Sequence, residues 1–445
     1  MTENKVFKNA TWIIACKIVQ SLLGLVVSMF SARYLGPAGY GLINYASSVV
    51  AFVAPIMQLG LNMVMVQEIV NSPEKEGETL GTALVMNLCS AVLCVLGIIG
   101  FVAIANFGER ETLIVCALYS VLLIFQALEM VQYWFQAKLK SKYVSVVALI
   151  AYTVMSAYKI FLLVTKAKVY WFALSQAIDY MVIAVVLLII YKKLGAQSFR
   201  FSKDAMKRMW KKSKHYIVSS LMVTLFAQTD RIMIKLMLGD TQTGYYSSAV
   251  ACSGITSFVF AALIDSFRPS IFEAKKLGDT GFEKNMTRLY SVIIYLSLAQ
   301  CLAITLFAPL LIKILYGSAY APASPALRII VWYTTFAYLG SVRNIWILAE
   351  NKQKYLWILN LSGALMNIAL NAILIPVWGI NGAAFASLVT QVFTNVVMNM
   401  LIRPIRRNNL FMWKSLNPKV LWEMVQSLRK KTPKNTEINE ENLNI

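Results

Sequence analysis

LGPAGYGLINYASSV, residues 35–49, and LGDTQTGYYSSAVACS, residues 238–253, are two versions of one junction. Each directly follows a long apolar run. In each, a Leu-Gly pair ends a helix, a tight Gly-containing turn follows, and Tyr with small residues opens a new apolar helix. The flanking runs are about 20–25 residues long, the length a helix needs to cross a hydrocarbon core of roughly 30 Å.

The rest of the chain has the same character. Of 445 residues, 58% are hydrophobic and 14% charged, and the mean hydropathy is +0.62. That composition excludes a soluble globular protein. The runs do not alternate in period two, which argues against a β-barrel. The expectation is an all-α membrane protein with twelve spans, near 11–32, 42–66, 81–105, 112–135, 144–164, 170–190, 216–237, 245–267, 289–315, 327–348, 356–375 and 383–402.

The formal charge of +21 is distributed by side. With twelve spans, the termini and alternate loops hold 31 Lys and Arg, against 4 in the opposite loops. Basic loops stay cytoplasmic, so both termini are expected inside. The charge is thereby assigned to topology and anionic lipid rather than to nucleic acid. The six cysteines lie in apolar runs without a CxxC, and the single histidine, His215, sits at the mouth of the seventh span. Metal sites and Ser/His or Cys/His catalysis are therefore poorly supported, and an enzyme is not expected.

The junction is not the only repeat. QAKLKSKY (136–143) echoes LAENKQKY (348–355), and FALSQ (172–176) echoes ASLVTQ (386–391). The offsets are 203, 212 and 215, in the same order along the chain. The reading is two homologous halves with an even number of spans each, hence parallel repeats. The expected domains are an N-terminal six-helix half (1–195), a basic cytoplasmic linker (196–215), a C-terminal six-helix half (216–404) and a cytoplasmic tail (405–445). In the tail, 411–428 is amphipathic and interrupted by Pro418, and the polar remainder is expected to be disordered. Two pseudo-symmetric halves around a central cavity suit alternating access.

Seven basic residues fall within or at the ends of spans. Lys313 and Arg328 are placed to snorkel, and Lys159 lies near the outer face. Lys17, Arg231, Lys235 and Arg343 lie deeper, where an ion costs at least about 2.5–3.5 kcal/mol. Either they pair with membrane acids (Glu129, Asp179, Asp230, Asp265), or they line a cationic cavity for a phosphate or diphosphate. A second polar set comprises Asp230, Asn367, Asn371 and Ser387. These residues offer oxygens of the kind sodium accepts, or they form hydrogen bonds between helices.

ARYLGPAGYGLINYASSV from Ala32, QTDRIMIKLMLGDTQTGYYSSA from Gln228 and LIPVWGINGAAFAS from Leu374 together resemble the bacterial Wzx-type polysaccharide flippases. That group belongs to the multidrug/oligosaccharidyl-lipid/polysaccharide exporter superfamily. The similarity covers roughly residues 5–405. It implies movement of a polyprenyl-diphosphate-linked oligosaccharide from the inner to the outer leaflet, for capsule, O-antigen or exopolysaccharide synthesis. It implies that Lys17, Arg231, Lys235 and Arg343 hold the diphosphate. It also implies a Na⁺ or H⁺ coupling site at Asp230, Asn367, Asn371 and Ser387, with Asn371 standing where a second carboxylate is the pattern; Asp179 and Asp265 are other proton carriers. No other cofactor is implied. The implied setting is the bacterial cytoplasmic membrane, as a monomer, beside the glycosyltransferases and polymerase of the same pathway. The alternatives are a cation-coupled multidrug antiporter, a lipid II flippase and, from another class, a membrane glycan polymerase or ligase. Membrane bases outnumber membrane acids here, 7 to 4, which disfavours the antiporter. The absence of a long outer loop disfavours the polymerase.

Overall fold

The computed structural model describes residues 3–194 and 197–431, and the side chains of residues 20, 23–194, 197–423 and 426. The first half contains α1 (Glu3–Met57), α2 (Met65–Asn71), α3 (Glu76–Ala105) and α4 (Arg110–Ser120). It continues with α5 (Leu122–Leu128), α6 (Gln132–Ala137), α7 (Ser141–Val164) and α8 (Val169–Lys193). The chain resumes with α9 (Lys203–Leu238), α10 (Asp240–Ser253), α11 (Ser257–Leu277), α12 (Asp279–Tyr316) and α13 (Ser324–Ala349). Last come α14 (Leu356–Val392), α15 (Met398–Leu401), α16 (Arg407–Ser415) and α17 (Pro418–Lys431).

Among the described residues, eight helical stretches are long and apolar enough to cross a membrane, and nine with the bent pair α10–α11. Two of these stretches are double. α1 breaks at Gly36 (φ 67°), and α14 breaks at Gly379 (φ 59°), left-handed conformations that glycine adopts without a Cβ penalty. α13, at 26 residues, has the length of one more span. Counting those two breaks and α13 brings the nine to twelve helical segments among the described residues. Pro418 does not interrupt a helix as expected. It occupies the first position of α17, where its missing N–H costs nothing, and the Asn417 side-chain oxygen accepts from the Lys419 amide at 3.1 Å.

The chain packs into two compact units. One comprises Met1–Ser253, Phe307–Ile330 and Trp357–Thr390; the other comprises Gly254–Leu306, Val331–Leu356 and Gln391–Ile445. This division of packing differs from the division by sequence repetition at residues 195 and 216. The reason lies in the first unit, where the two quoted junctions meet. A Cβ on Gly41 would collide with the Asp240 carbonyl and the Gly244 amide, and a Cβ on Gly244 would collide with the Pro37 carbonyl. Each contact maps onto the other by the offset of 203 that relates Gly36 to Gly239. Like meets like, as in a twofold-symmetric interface. Tyr320 adds a hydrogen bond to the Ala32 carbonyl at 2.7 Å, and Arg33 adds one to the Leu315 carbonyl at 3.1 Å. These ties draw segments of the second half into the first unit.

In the second unit, a π-helical turn at Phe393–Val397 interrupts the last span. Buried Asn395, Asn399, Asn408 and Asn409 gather around that interruption. Asn395 and Asn409 bond the carbonyls of Gln391 and Val396 at 3.0 and 2.9 Å, and Tyr290 donates to Asn408 at 2.9 Å. A π-turn loosens the ordinary backbone ladder, and side-chain amides take up groups it leaves free.

Candidate functional site

The polar centre of the first unit is the Asp230 carboxylate on α9. Asn367 and Asn371 share one face of α14 by their spacing of four. The break at Gly379 turns the chain back, and Gly382 lets it pass against the Leu374 carbonyl, a place a Cβ would occupy. Ser387 is thereby brought to 3.4 Å from the Asn367 amide. Asn371 donates to Asp230 Oδ1 at 2.7 Å and Asn367 at 3.1 Å, while Ser387 donates to Oδ2 at 2.5 Å. Tyr246, on α10 within the second junction, also donates its hydroxyl to Oδ2. All four sequence-derived residues therefore meet, joined by a fifth, Tyr246, which sequence reasoning missed.

Four donors offset the cost of holding a carboxylate in an apolar setting. One buried acceptor remains: Asn371 Oδ1 has no hydrogen-bond partner. Beside a carboxylate, an orphaned amide oxygen fits a hard cation that takes oxygen ligands. Among the described residues, no group of three or more His, Cys, Asp or Glu is arranged to hold a metal ion.

The cationic residues divide. The side chain of Lys17 lies outside the described residues. Arg231, next to Asp230 in sequence, is half-buried; it donates to Gln228 on its own helix at 3.3 Å, and its Nε is buried without a partner. Arg343, in the second unit, is 5% exposed. It donates to the Thr394 carbonyl in the π-turn at 3.1 Å and to Asn344 at 3.0 Å, and its Nε too lacks a partner. Among the described residues, the bonding partners of both guanidinium groups are neutral.

Lys235 departs from the expected role. Its side chain is 1% exposed and bridges Glu109 at 2.6 Å and Asp240 at 2.9 Å. Two carboxylates match its charge in place, so it is not presented to a ligand. The pairing ties α9 to the loop before α4 and to the start of α10. Thr112 and Asn106 donate to the same Glu109 oxygen, Oε2, at 2.6 and 3.3 Å. Burial alone would raise the Glu109 carboxyl, but hydrogen bonds from Lys235 and Thr112 hold it below the usual carboxylate range.

Residues 6–275 match the family described as "Polysaccharide biosynthesis protein". The chain is similar to the "Putative O-antigen transporter" of Escherichia coli K12, 20% identical over 415 residues, covering 91% of this chain and 98% of that protein. It is also similar to the "Uncharacterized membrane protein MJ1068" of Methanocaldococcus jannaschii, 27% identical over 245 residues; that match spans 51% of this chain and about half, 46%, of the relative. Among solved structures, "Lipid II flippase MurJ, inward closed conformation" superposes with a TM-score of 0.70, covering 96% of this chain and 94% of that one at 14% identity. At that identity the likeness shows a shared all-α, multi-span fold.

Proposed function

The chain belongs to the polysaccharide biosynthesis protein family, as a membrane transporter of the flippase type, and from that premise we propose that it moves a polyprenyl-diphosphate-linked oligosaccharide repeat unit from the inner to the outer leaflet. The observation that carries this reading is the pair of membrane-embedded arginines. Among the described residues, the hydrogen-bond partners of the Arg231 and Arg343 guanidinium groups are neutral, and each Nε is buried without a partner. Such a cation is costly unless an anion completes it, and a diphosphate is an anion suited to bidentate guanidinium contacts. The lipid tail stays in the bilayer while the headgroup crosses with the two six-helix halves working in alternation. The setting is the bacterial cytoplasmic membrane with both termini inside, and the supplying partners are glycosyltransferases of the same pathway. Asp230 with Asn367, Asn371 and Ser387 is the proposed Na⁺ or H⁺ coupling site. Lys235 is left out of the diphosphate site because its charge is already matched.

The test is export in cells that depend on this chain. Arg231→Gln and Arg343→Gln each abolish surface glycan while the membrane content of the protein is unchanged. Normal surface glycan from both variants would remove the cationic reading.

A further inference from the structure

Within the first unit, α1, α4, α5, α8 and α9 enclose a chamber of about 460 Å³. None of its twelve lining residues is charged, yet seven carry polar side chains. Its size falls in the range of small-molecule sites. On the opposite face of α1 lies a groove of about 780 Å³ lined by Phe52, Val53, Ile56, Leu93, Phe101 and Ile232. The contrast is along one helix: Ser47, Ala51 and Gln58 face the chamber, while Phe52, Val53 and Ile56 face the groove.

The chamber's polar groups are neutral amides and hydroxyls. Gln176 accepts from Lys159 Nζ at 3.3 Å through its Oε1, which leaves its NH₂ to donate. Gln58 accepts from Asn62 at 3.1 Å through its Oε1, which likewise leaves its NH₂. Gln126 also lines the chamber, with its Oε1 buried and without a hydrogen-bond partner, so its NH₂ is the group available to a ligand. Tyr119 and Tyr180 add aromatic surface with hydroxyl tips.

This chemistry discriminates among ligand classes. A diphosphate requires Arg or Lys in the wall, and a cationic drug requires a carboxylate; the wall has neither. A lipid tail suits the apolar groove and not amide side chains left without partners. A ligand rich in hydroxyls, neutral, and apolar on its ring faces satisfies every group listed above. We propose that this chamber is a subsite for an uncharged sugar residue of the cargo, with the amides of Gln58, Gln126 and Gln176 hydrogen-bonding to it and the two tyrosines flanking its ring. The assignment rests on the flippase reading and adds where the glycan is recognised.

The experiment uses the full chain in nanodiscs and two probes: polyprenyl diphosphate, and polyprenyl diphosphate carrying one neutral hexose. Binding of each is measured by equilibrium titration. The wild type prefers the glycosylated probe by about tenfold, the scale of one to two well-made hydrogen bonds. The Gln126→Met/Gln176→Met double variant brings the preference below about twofold and leaves affinity for the bare diphosphate lipid unchanged. Should the double variant fail to fold, Gln58→Met reads the same ratio with one donor removed. A wild type that binds both probes equally, or variants that retain its preference, would overturn the sugar subsite and leave the flippase reading intact. Failure of the wild type to bind either probe would instead contradict the flippase reading itself.

Discussion

Asp230 draws donors from three helices, and that convergence sets what a single substitution can do. Tyr246→Phe removes one donor and leaves the rest, so stability falls by about 1–2 kcal/mol, read as a lower Tm in detergent. If the site takes sodium, added Na⁺ raises the Tm of the wild type and not that of Asp230→Asn. Lys235 gives a different expectation from Arg231: Lys235→Met lowers the Tm, because Glu109 and Asp240 lose their counterion, but keeps affinity for the diphosphate lipid within about twofold, because no ligand contact is lost. Glu109 is held below its usual range, so its stabilising contribution is present above the ordinary carboxylate value and is lost as pH falls through the lowered one. The Tm difference between wild type and Glu109→Gln is therefore present at pH 7 and vanishes in strong acid. Much of this site was legible. Asn367 and Asn371 declare a shared face by spacing, and Asp230 stands out as an acid in an apolar run. Tyr246 was not legible, because a tyrosine opening an apolar helix reads as packing until the facing helix is known. Nor was the fate of Lys235, whose partner Glu109 lies 126 residues away in a loop.

At the scale of elements, glycine decides the architecture. Gly36 and Gly379 each divide what runs as one helical rod into two spans, and Gly41 with Gly244 lets the duplicated junctions touch backbone to backbone. Gly41→Val or Gly244→Val places side-chain atoms where carbonyls now sit. Each is expected to lower the Tm by several degrees or reduce membrane accumulation, and the double variant to be no worse than the sum if the two sides act as equivalent halves. A Tm unchanged by both would mean that the junctions do not depend on this close approach. The spans and the duplication were legible because hydrophobic length and repeated turns are local features of sequence. The compact units were not. They depend on which segments pack together, which no periodicity encodes. Pro418 likewise depends on context: the same residue breaks a helix from inside and begins one at its first turn.

For the whole molecule, the central claim is that membrane-buried guanidinium groups carry a diphosphate headgroup from one leaflet to the other while its lipid anchor remains in the bilayer. Family membership makes the chain a transporter of this general kind, and Arg231 and Arg343 supply a chemical reason for an anionic cargo. The most direct measurement is translocation in proteoliposomes containing only this chain. A labelled polyprenyl-diphosphate-linked oligosaccharide is placed in both leaflets, and the fraction open to an impermeant glycosidase is followed after the outer pool has been consumed. The expected result is that the inner pool becomes digestible with the wild type, and at least about tenfold more slowly with Arg231→Gln or Arg343→Gln. A wild-type rate equal to that of protein-free liposomes, or arginine variants as fast as the wild type, would contradict the account.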